Sequence, residues 1–508
     1  MPANQHKPLP PDDVARPWLE MYWDMGLNDK AILEHMQDHI DMNQYGLSYR
    51  SIRRLRVRYG LQGTRKQMHT LESIHSTVAQ IRSRFPNMGA RSMVVHLRQN
   101  YGMRVPESML FQYFHTVEPE EVQRRKAKKF KRKRFWTAGV NDVWCFDQHD
   151  KWLRFGLFFH LGFEPCAGRI LYVKVWWTNK NPRLITSYYL NAARHINGIP
   201  LVTQSDPGSE NFGIANCHTE IRHQLDATLH DTLQHRWMRD KANIKAEIVW
   251  MVIRRNWSPG FESILDEGFN NGWYDPANPL EKLTFLWVMV PWLQEELDQW
   301  VHQFNNSPRR ADKNKILPRG IPNLITAKPG KYNTMDFKIG VTPDLLSEME
   351  ARWAPPDHAV FQLVPPDFHA LASTLYERIG KPLVTSGTAW TVYSAMMEAL
   401  RNLDELPDLT QALATRDAAE EEELTLLDGL RDLRHGEGAP NADGLCYLGG
   451  LENPSMGSVA EGLEEGRDLR LYADLSDFEG EDELQIEGNV APTGTVDDRL
   501  YAEFTELA

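Results

Sequence analysis

Three apolar, aromatic-rich segments follow one another between residues 142 and 177: DVWCFDQHDKW, RFGLFFHLGF and RILYVKVWW. Each is short, and each is rich in the aromatic and β-branched residues that suit a pleated surface, so each reads as a strand. Their connections leave room for little more than turns, which makes them antiparallel neighbours. The pattern then changes. PRLITSYYLNAARHI, with Pro182 near its start, reads as a helix. IPLVTQ is a fourth strand, FGIANCHTEIRHQL a second helix, and a fifth strand is expected within ATLHDTLQHRWM. DKANIKAEIVWMVIRRNW closes the run as a helix. Three hairpin-linked strands followed by a helix and a parallel strand define an α/β fold with a mixed sheet.

Three acids stand out by position. Asp147 lies inside the first aromatic strand, between Phe146 and the hydrophilic end of that segment. A carboxylate in a core strand is costly unless a partner compensates its charge. Asp206 leaves the fourth strand and is turned at once by Pro207 and Gly208 in QSDPGSENF. Glu247 lies on the last helix, four residues after Asn243, so the two share a helical face. Taken singly, Asp206 is equally a turn residue and Glu247 an ordinary solvated helix acid. Taken together, carboxylates converging from separate elements suit a pair of divalent cations, which bind oxygen and act on phosphorus.

The segments WCFDQHDKW, QSDPGSENF and ANIKAEIVW, in this order, resemble the retroviral-integrase-like core of the DDE transposases and integrases. The matching features are a Trp ahead of the first Asp, an S-D-x-G turn at the second and N-x-x-x-E at the third. The likeness extends to GWYDPANP and FNNSPRR…LPRGIPNLI, and so to eukaryotic integrase-core proteins related to transposable elements. It covers about residues 135–325. The resemblance implies a ribonuclease H-like, mixed five-stranded sheet with flanking helices. It implies two Mg²⁺ or Mn²⁺ ions, with Asp147 bridging both and Asp206 and Glu247 each holding one. It places Asn243 and Lys245 beside DNA, and it implies a homo-oligomer. Asp150, Glu164 and Glu210 are further acids and candidate auxiliary ligands. The zinc-binding His-His-Cys-Cys module of retroviral integrases is missing, since no Cys precedes Cys145.

The flanks supply what such a core needs to meet DNA. Residues 1–62 read as a helix-turn-helix domain: an apolar stripe at Ile32, Leu33, Met36 and Ile40, then SYRSIRRLRVRYGL. There Ser48 is an N-cap, and Ile52, Leu55 and Tyr59 form the buried stripe. Arg50, Arg53, Arg54, Arg56 and Arg58 then largely line the open side, suited to phosphate and groove contact. His35 and His39 have ligand-like spacing but no cysteine near them, so they read as ordinary helix histidines. Residues 63–134 hold a second helix-turn-helix-like region and the linker RRKAKKFKRKR. Nine of that linker's eleven residues are basic, Lys128, Lys129 and Lys131 among them. It suits sequence-blind DNA contact or nuclear import. The core is expected at 135–270, with a helical extension at 271–341, a helical region of unknown role at 342–403 and an acidic, largely disordered tail at 404–508.

The charge supports this layout. The whole chain carries −12, but the 28 Asp and Glu and 6 Arg after residue 403 account for −22, leaving +10 for the body. A basic body points to nucleic acid, and the tail is a candidate competitor for the same surface. The longest apolar run, Leu283–Leu293, is too short to span a bilayer and contains Pro291. Four scattered cysteines make no disulfide framework. The expectation is a soluble nuclear protein that binds double-stranded DNA, either an active integrase or transposase or a catalytically silent, host-captured DNA-binding relative. A ribonuclease H-like nuclease is a third reading.

Overall fold

The computed structural model describes residues 7–119, 137–238, 243–308, 317–403 and 410–433. The three aromatic segments are β1 (Val143–His149), β2 (Phe158–Glu164) and β3 (Arg169–Trp176), paired antiparallel in sequence order. β4 (Val202–Ser205) joins β1 in parallel, and β5 (His235–Trp237) joins β4 in parallel. The sheet order is therefore β3-β2-β1-β4-β5. This is the mixed five-stranded sheet of a ribonuclease H-like fold. IPLVTQ is not one strand. Gly198–Ile199 pairs with Ile339–Gly340, while β4 starts only at Val202, because Pro200 between them cannot donate to a ladder.

N-terminal to the sheet lie α1 (Asp12–Asp24), α2 (Asp29–Met36) and α3 (Tyr49–Arg58), then α4 (Leu71–Arg84), α5 (Ala90–Tyr101) and α6 (Glu107–Val117). α7 (Pro182–Ile196) links β3 to β4, and α8 (Phe212–Leu225) links β4 to β5. After β5 come α9 (Ile244–Asn256), α10 (Ser258–Asn270) and α11 (Pro279–Asn305). α12 (Pro322–Ala327), α13 (Pro343–Trp353), α14 (Pro366–Arg378), α15 (Ala389–Arg401) and α16 (Thr410–Glu420) complete the chain as described.

Alternation along β1 sorts its side chains to two cores. Trp144 and Phe146 enter a cluster with α7, α8 and α13, through Tyr189, Ile214, Cys217 and Met349. Cys145 enters a larger cluster with α9 and α11 that also takes in α4, α5 and α6. α7 forms where it does because Asn181 caps it, accepting from the amides of Arg183 and Leu184, with Pro182 in the first turn. α8 crosses α7 so closely that a Cβ at Gly213 would strike the carbonyl of Pro182. That approach fixes where the turn between β4 and α8 sits.

The outer edge of β3 is closed by α11 rather than by another strand. Asn305 Oδ1 accepts from Ile170 N (2.9 Å), and Asn305 Nδ2 donates to Ile170 O (2.7 Å). Three turns earlier Gln294 does the same for Val175 N (3.1 Å) and Val173 O (3.0 Å). Two carboxamides thus replace a strand and block edge pairing with another chain.

The helical flanks differ in part from the sequence reading. Ser48 does cap α3, accepting from Ser51 N, and Ile52 and Leu55 are buried. The connection between α2 and α3 spans residues 37–48, far longer than the three- or four-residue turn of a compact helix-turn-helix. His39 falls in the turn after α2, where it bonds the Tyr22 hydroxyl (2.8 Å) and stacks on Trp18 as an ordinary packing histidine. The α4–α6 unit does not stand apart. Arg84 pairs with Glu296, His96 with Gln303 (3.0 Å), and a Cβ at Gly260 would meet the Arg84 carbonyl.

The largest departure is in the acidic tail. Its first part is ordered: α16 and residues 421–433 lie along the core. Arg416 is buried over the Trp177 ring (4.0 Å) and Glu422 pairs with Arg183 (2.8 Å). Leu424 and Leu427 join the α7–α8 core, and Leu426 and Leu430 pack on Leu233 and Trp237. Net charge concealed these leucines. Residues 434–508 and the basic run with Lys128, Lys129 and Lys131 lie outside the described residues. Among the described residues, no helix is long and apolar enough to cross a membrane.

Several histidines are sealed inside. His218 meets the Tyr189 hydroxyl (2.8 Å), and His235 lies between Thr203 (2.9 Å) and Ser205 (3.1 Å). Burial pushes His218 and His160 down to about 3 and His235 well below its usual range. All three are therefore neutral when folded, whereas the unfolded chain protonates them below about 6.5. Stability from this source is full above pH 6.5 and is lost as pH falls from there towards 3. The loss approaches about 1.4 kcal/mol per pH unit for each histidine. Denaturant midpoints should hold between pH 8 and 7 and fall steeply between about 6 and 4.5; a flat profile would contradict the neutral burial of these rings.

Candidate metal centre

Asp147 is two residues beyond Cys145 on β1, so both face α9. Asp206 is two residues beyond Gln204, and Cys145 and Gln204 are register partners in the parallel β1–β4 pair. The two aspartates thus leave the sheet at one level and on one side, at the carboxyl ends of parallel strands, where α/β sheets open a crevice. α9 brings the third acid over them. Asn243 Nδ2 donates to the carbonyl of Phe146 (2.8 Å), the residue before Asp147, and so pins the start of α9 to β1. One turn later Glu247 projects from the same helical face. One carboxylate oxygen from each of Asp147, Asp206 and Glu247 lies within 4.8 Å of the others. Among the described residues this is the group of acids so placed.

Asp147 is buried at 5 % exposure, and Asp206 and Glu247 are half-buried. Desolvation is the main cause that holds the Asp147 carboxyl well above the usual carboxylate range, and repulsion from Glu247 and Asp206 adds to it. Its Oδ2 is buried with no hydrogen-bond partner. A buried acceptor left open among converging carboxylates is what a hard cation requires, and an all-oxygen donor set suits Mg²⁺ or Mn²⁺. The donor chemistry and the open Oδ2 therefore fit a divalent ion.

The surroundings are aromatic. His149 stacks on Trp250 (centroids 4.8 Å apart), three residues along α9 from Glu247. Burial pushes His149 down to about 3, helped by Arg254 and Lys151, so it is a neutral wall and not a proton donor at neutral pH. The turn after Asp206 is built from its own backbone: Gly208 N donates to Asp206 O (2.9 Å) and Asn211 N to Gly208 O (3.0 Å).

The remaining candidates separate clearly. Asn243 and Lys245, expected beside DNA, are instead buried at 1 % and 6 % exposure. Asn243 serves as the anchor of α9, and Lys245 lies near enough to Cys145 for its charge to bear on that thiol. Glu164 is no ligand. Its two oxygens accept from Cys166 N (2.9 Å) and Ala167 N (2.8 Å) and close the β2–β3 hairpin, while burial lifts it to about 7. Asp150 accepts from Asn179 (2.7 Å) and faces Glu210 outside the cluster. Arg50, Arg53 and Arg54 are exposed on α3, remote in the chain from this centre. Arg56 is turned inward against Trp23 (4.3 Å) and Asp29 (3.0 Å), which removes it from the open face. The sequence reading missed Gln148, Asn211 and Trp250. Asn211 stood within QSDPGSENF, and Trp250 stood one helical turn beyond Glu247, but neither position signals a contact by itself.

Residues 135–321 match the family described as integrase core domain, a segment that contains all three carboxylates. No curated protein matches the chain. Asp147→Asn should raise the melting temperature of the metal-free protein by removing the cost of burying a carboxylate and its repulsion with Glu247 and Asp206, and should abolish any rise on adding Mg²⁺ or Mn²⁺. Thermal denaturation with and without each ion reads both effects. A variant that retains the full metal-dependent rise would separate Asp147 from cation binding.

Proposed function

From this retroviral-integrase-like core, we propose that the protein is a DNA integrase or transposase that processes 3′ ends of element DNA and transfers them into target DNA. The observation that carries the reading is the meeting of Asp147, Asp206 and Glu247 within 4.8 Å, with Asp147 Oδ2 buried and open. In this reading Asp147, Asp206 and Glu247 would together hold two Mg²⁺ or Mn²⁺ ions. The chemistry such ions supply when bound is activation of an attacking oxygen and stabilisation of the leaving one in an in-line displacement at phosphorus. The chain itself contributes three fixed acceptors, the anchor at Asn243 and an aromatic wall from His149 and Trp250 that keeps water from one side.

DNA would be engaged mainly by the exposed face of α3 and by the basic run 124–134. On α3, Arg50, Arg53 and Arg54 project with Tyr49 and Val57, which are 52 % and 61 % exposed. The same basic run would serve nuclear entry, and the working form would be a homo-oligomer. The competing reading is a host-captured DNA-binding protein that keeps the fold without the reaction. Strand transfer by the purified chain with Mg²⁺ or Mn²⁺ decides between them. Activity should fall by roughly two to three orders of magnitude or more in Asp147→Asn, with DNA binding intact. Unaltered DNA binding with no transfer by the parent chain would favour the silent reading. Replacing Arg50, Arg53 and Arg54 together by Ala should weaken duplex binding across sequences. It should also reduce the slope of log K against log salt by up to about 3. An unchanged slope would remove α3 from the DNA interface.

A further inference from the structure

The β1–β4 ladder stops before it reaches the acids. Its register pairs are Val143 with Val202, Trp144 with Thr203 and Cys145 with Gln204. Asp147, itself paired with Leu161 of β2, and Asp206 therefore lie just past the last β1–β4 register pair, where no pairing between their own two strands joins them, and their charges repel. The span is closed by side chains instead. Gln148 follows Asp147 and points to the opposite face of the sheet, where its Nε2 donates to Asn211 Oδ1 (3.0 Å). Asn211 is fully buried, and its Nδ2 donates to the carbonyl of Asp206 (3.2 Å) and to Glu210 Oε1 (3.1 Å). Glu210 in turn folds back over Gly208, where a Cβ would strike its carboxylate. One amide thus ties the end of β1 to the backbone of Asp206 and to the turn that follows it.

We propose that Gln148 and Asn211 are a positioning pair that fixes the separation of Asp147 and Asp206, and through it the affinity and the size selectivity of the cation site. Mg²⁺ demands near-ideal octahedral geometry at 2.0–2.1 Å, whereas Ca²⁺ accepts flexible shells at 2.3–2.6 Å. Loosening the pair on the far face of the sheet penalises the small, exacting ion more than the large one. Neither residue touches the cation site itself. A residue that merely supported the fold would weaken both ions alike, in step with lost stability.

This inference rests on the triad being a cation site. It is tested on the full chain by calorimetric titration with Mg²⁺ and, separately, Ca²⁺, alongside melting temperatures without metal. Asn211→Ala and Gln148→Leu should each lower Mg²⁺ affinity at least tenfold and Ca²⁺ affinity by clearly less. The double variant should lose little beyond either single one, because the two act through one bond. Gln148→Leu keeps the experiment decisive if Asn211→Ala fails to fold, since Gln148 is only half-buried. Unchanged Mg²⁺ affinity in a folded variant would overturn the proposal. So would equal losses for both ions, or additive losses in the double variant. A parent chain that binds neither ion would defeat the cation reading of the triad, and this inference with it. Parent binding retained in the variants would defeat the positioning role alone.

Discussion

The architecture turns on one unfavourable fact: three carboxylates are pressed together at a sheet edge, one of them nearly removed from water. Asp147 cannot be fully ionised there without help, because burial and the charges of Glu247 and Asp206 act in the same direction. Such a cluster persists only when the surrounding structure determines it independently. Here it does. The sheet fixes β1 and β4 side by side, Asn243 fastens α9 to the Phe146 carbonyl, and Gln148 and Asn211 span the end of the ladder. The backbone segments that carry the acids are thus fixed by these contacts, so the cluster is preorganised for a cation.

The rest of the molecule supports that edge from a distance. The two cores separated by β1 hold the sheet from both faces, and α11 closes its outer strand with Gln294 and Asn305. The α4–α6 helices and α10–α15 are fused into this packing instead of forming separable modules beside it. The exposed arginines of α3 sit on their own small core, joined to the central body where Ile321, just ahead of α12, and Leu324 within it pack and where Lys328 meets Asp38 (2.6 Å). That junction fixes the arginine face relative to the acidic edge.

The strands, the principal helices and the three acids were readable because each depends on local pattern. Aromatic runs a few residues long specify buried strands, and Asn and Glu four apart share a helical face wherever that helix lies. What lay beyond reach depends on partners far away in the chain. The split at Pro200, the burial of Asn243 and Lys245, and the role of Glu164 in a hairpin all follow from neighbours that periodicity does not reveal. The ordered start of the acidic tail was hidden for another reason. Its composition is dominated by charge, yet Leu424, Leu426, Leu427 and Leu430 meet apolar surface that exists only after α7, α8 and β5 have assembled.

The amino-acid sequence by itself determined the order of elements, the mixed sheet, and the identity of the acids that meet at its edge. These are set by side-chain periodicity and by the cost of placing charge in an apolar strand. Tertiary structure alone decided the distances between those acids, which amides brace them, and which cations face solvent. Those depend on ladder register and helix docking, where a shift of one residue sends a side chain to the opposite face.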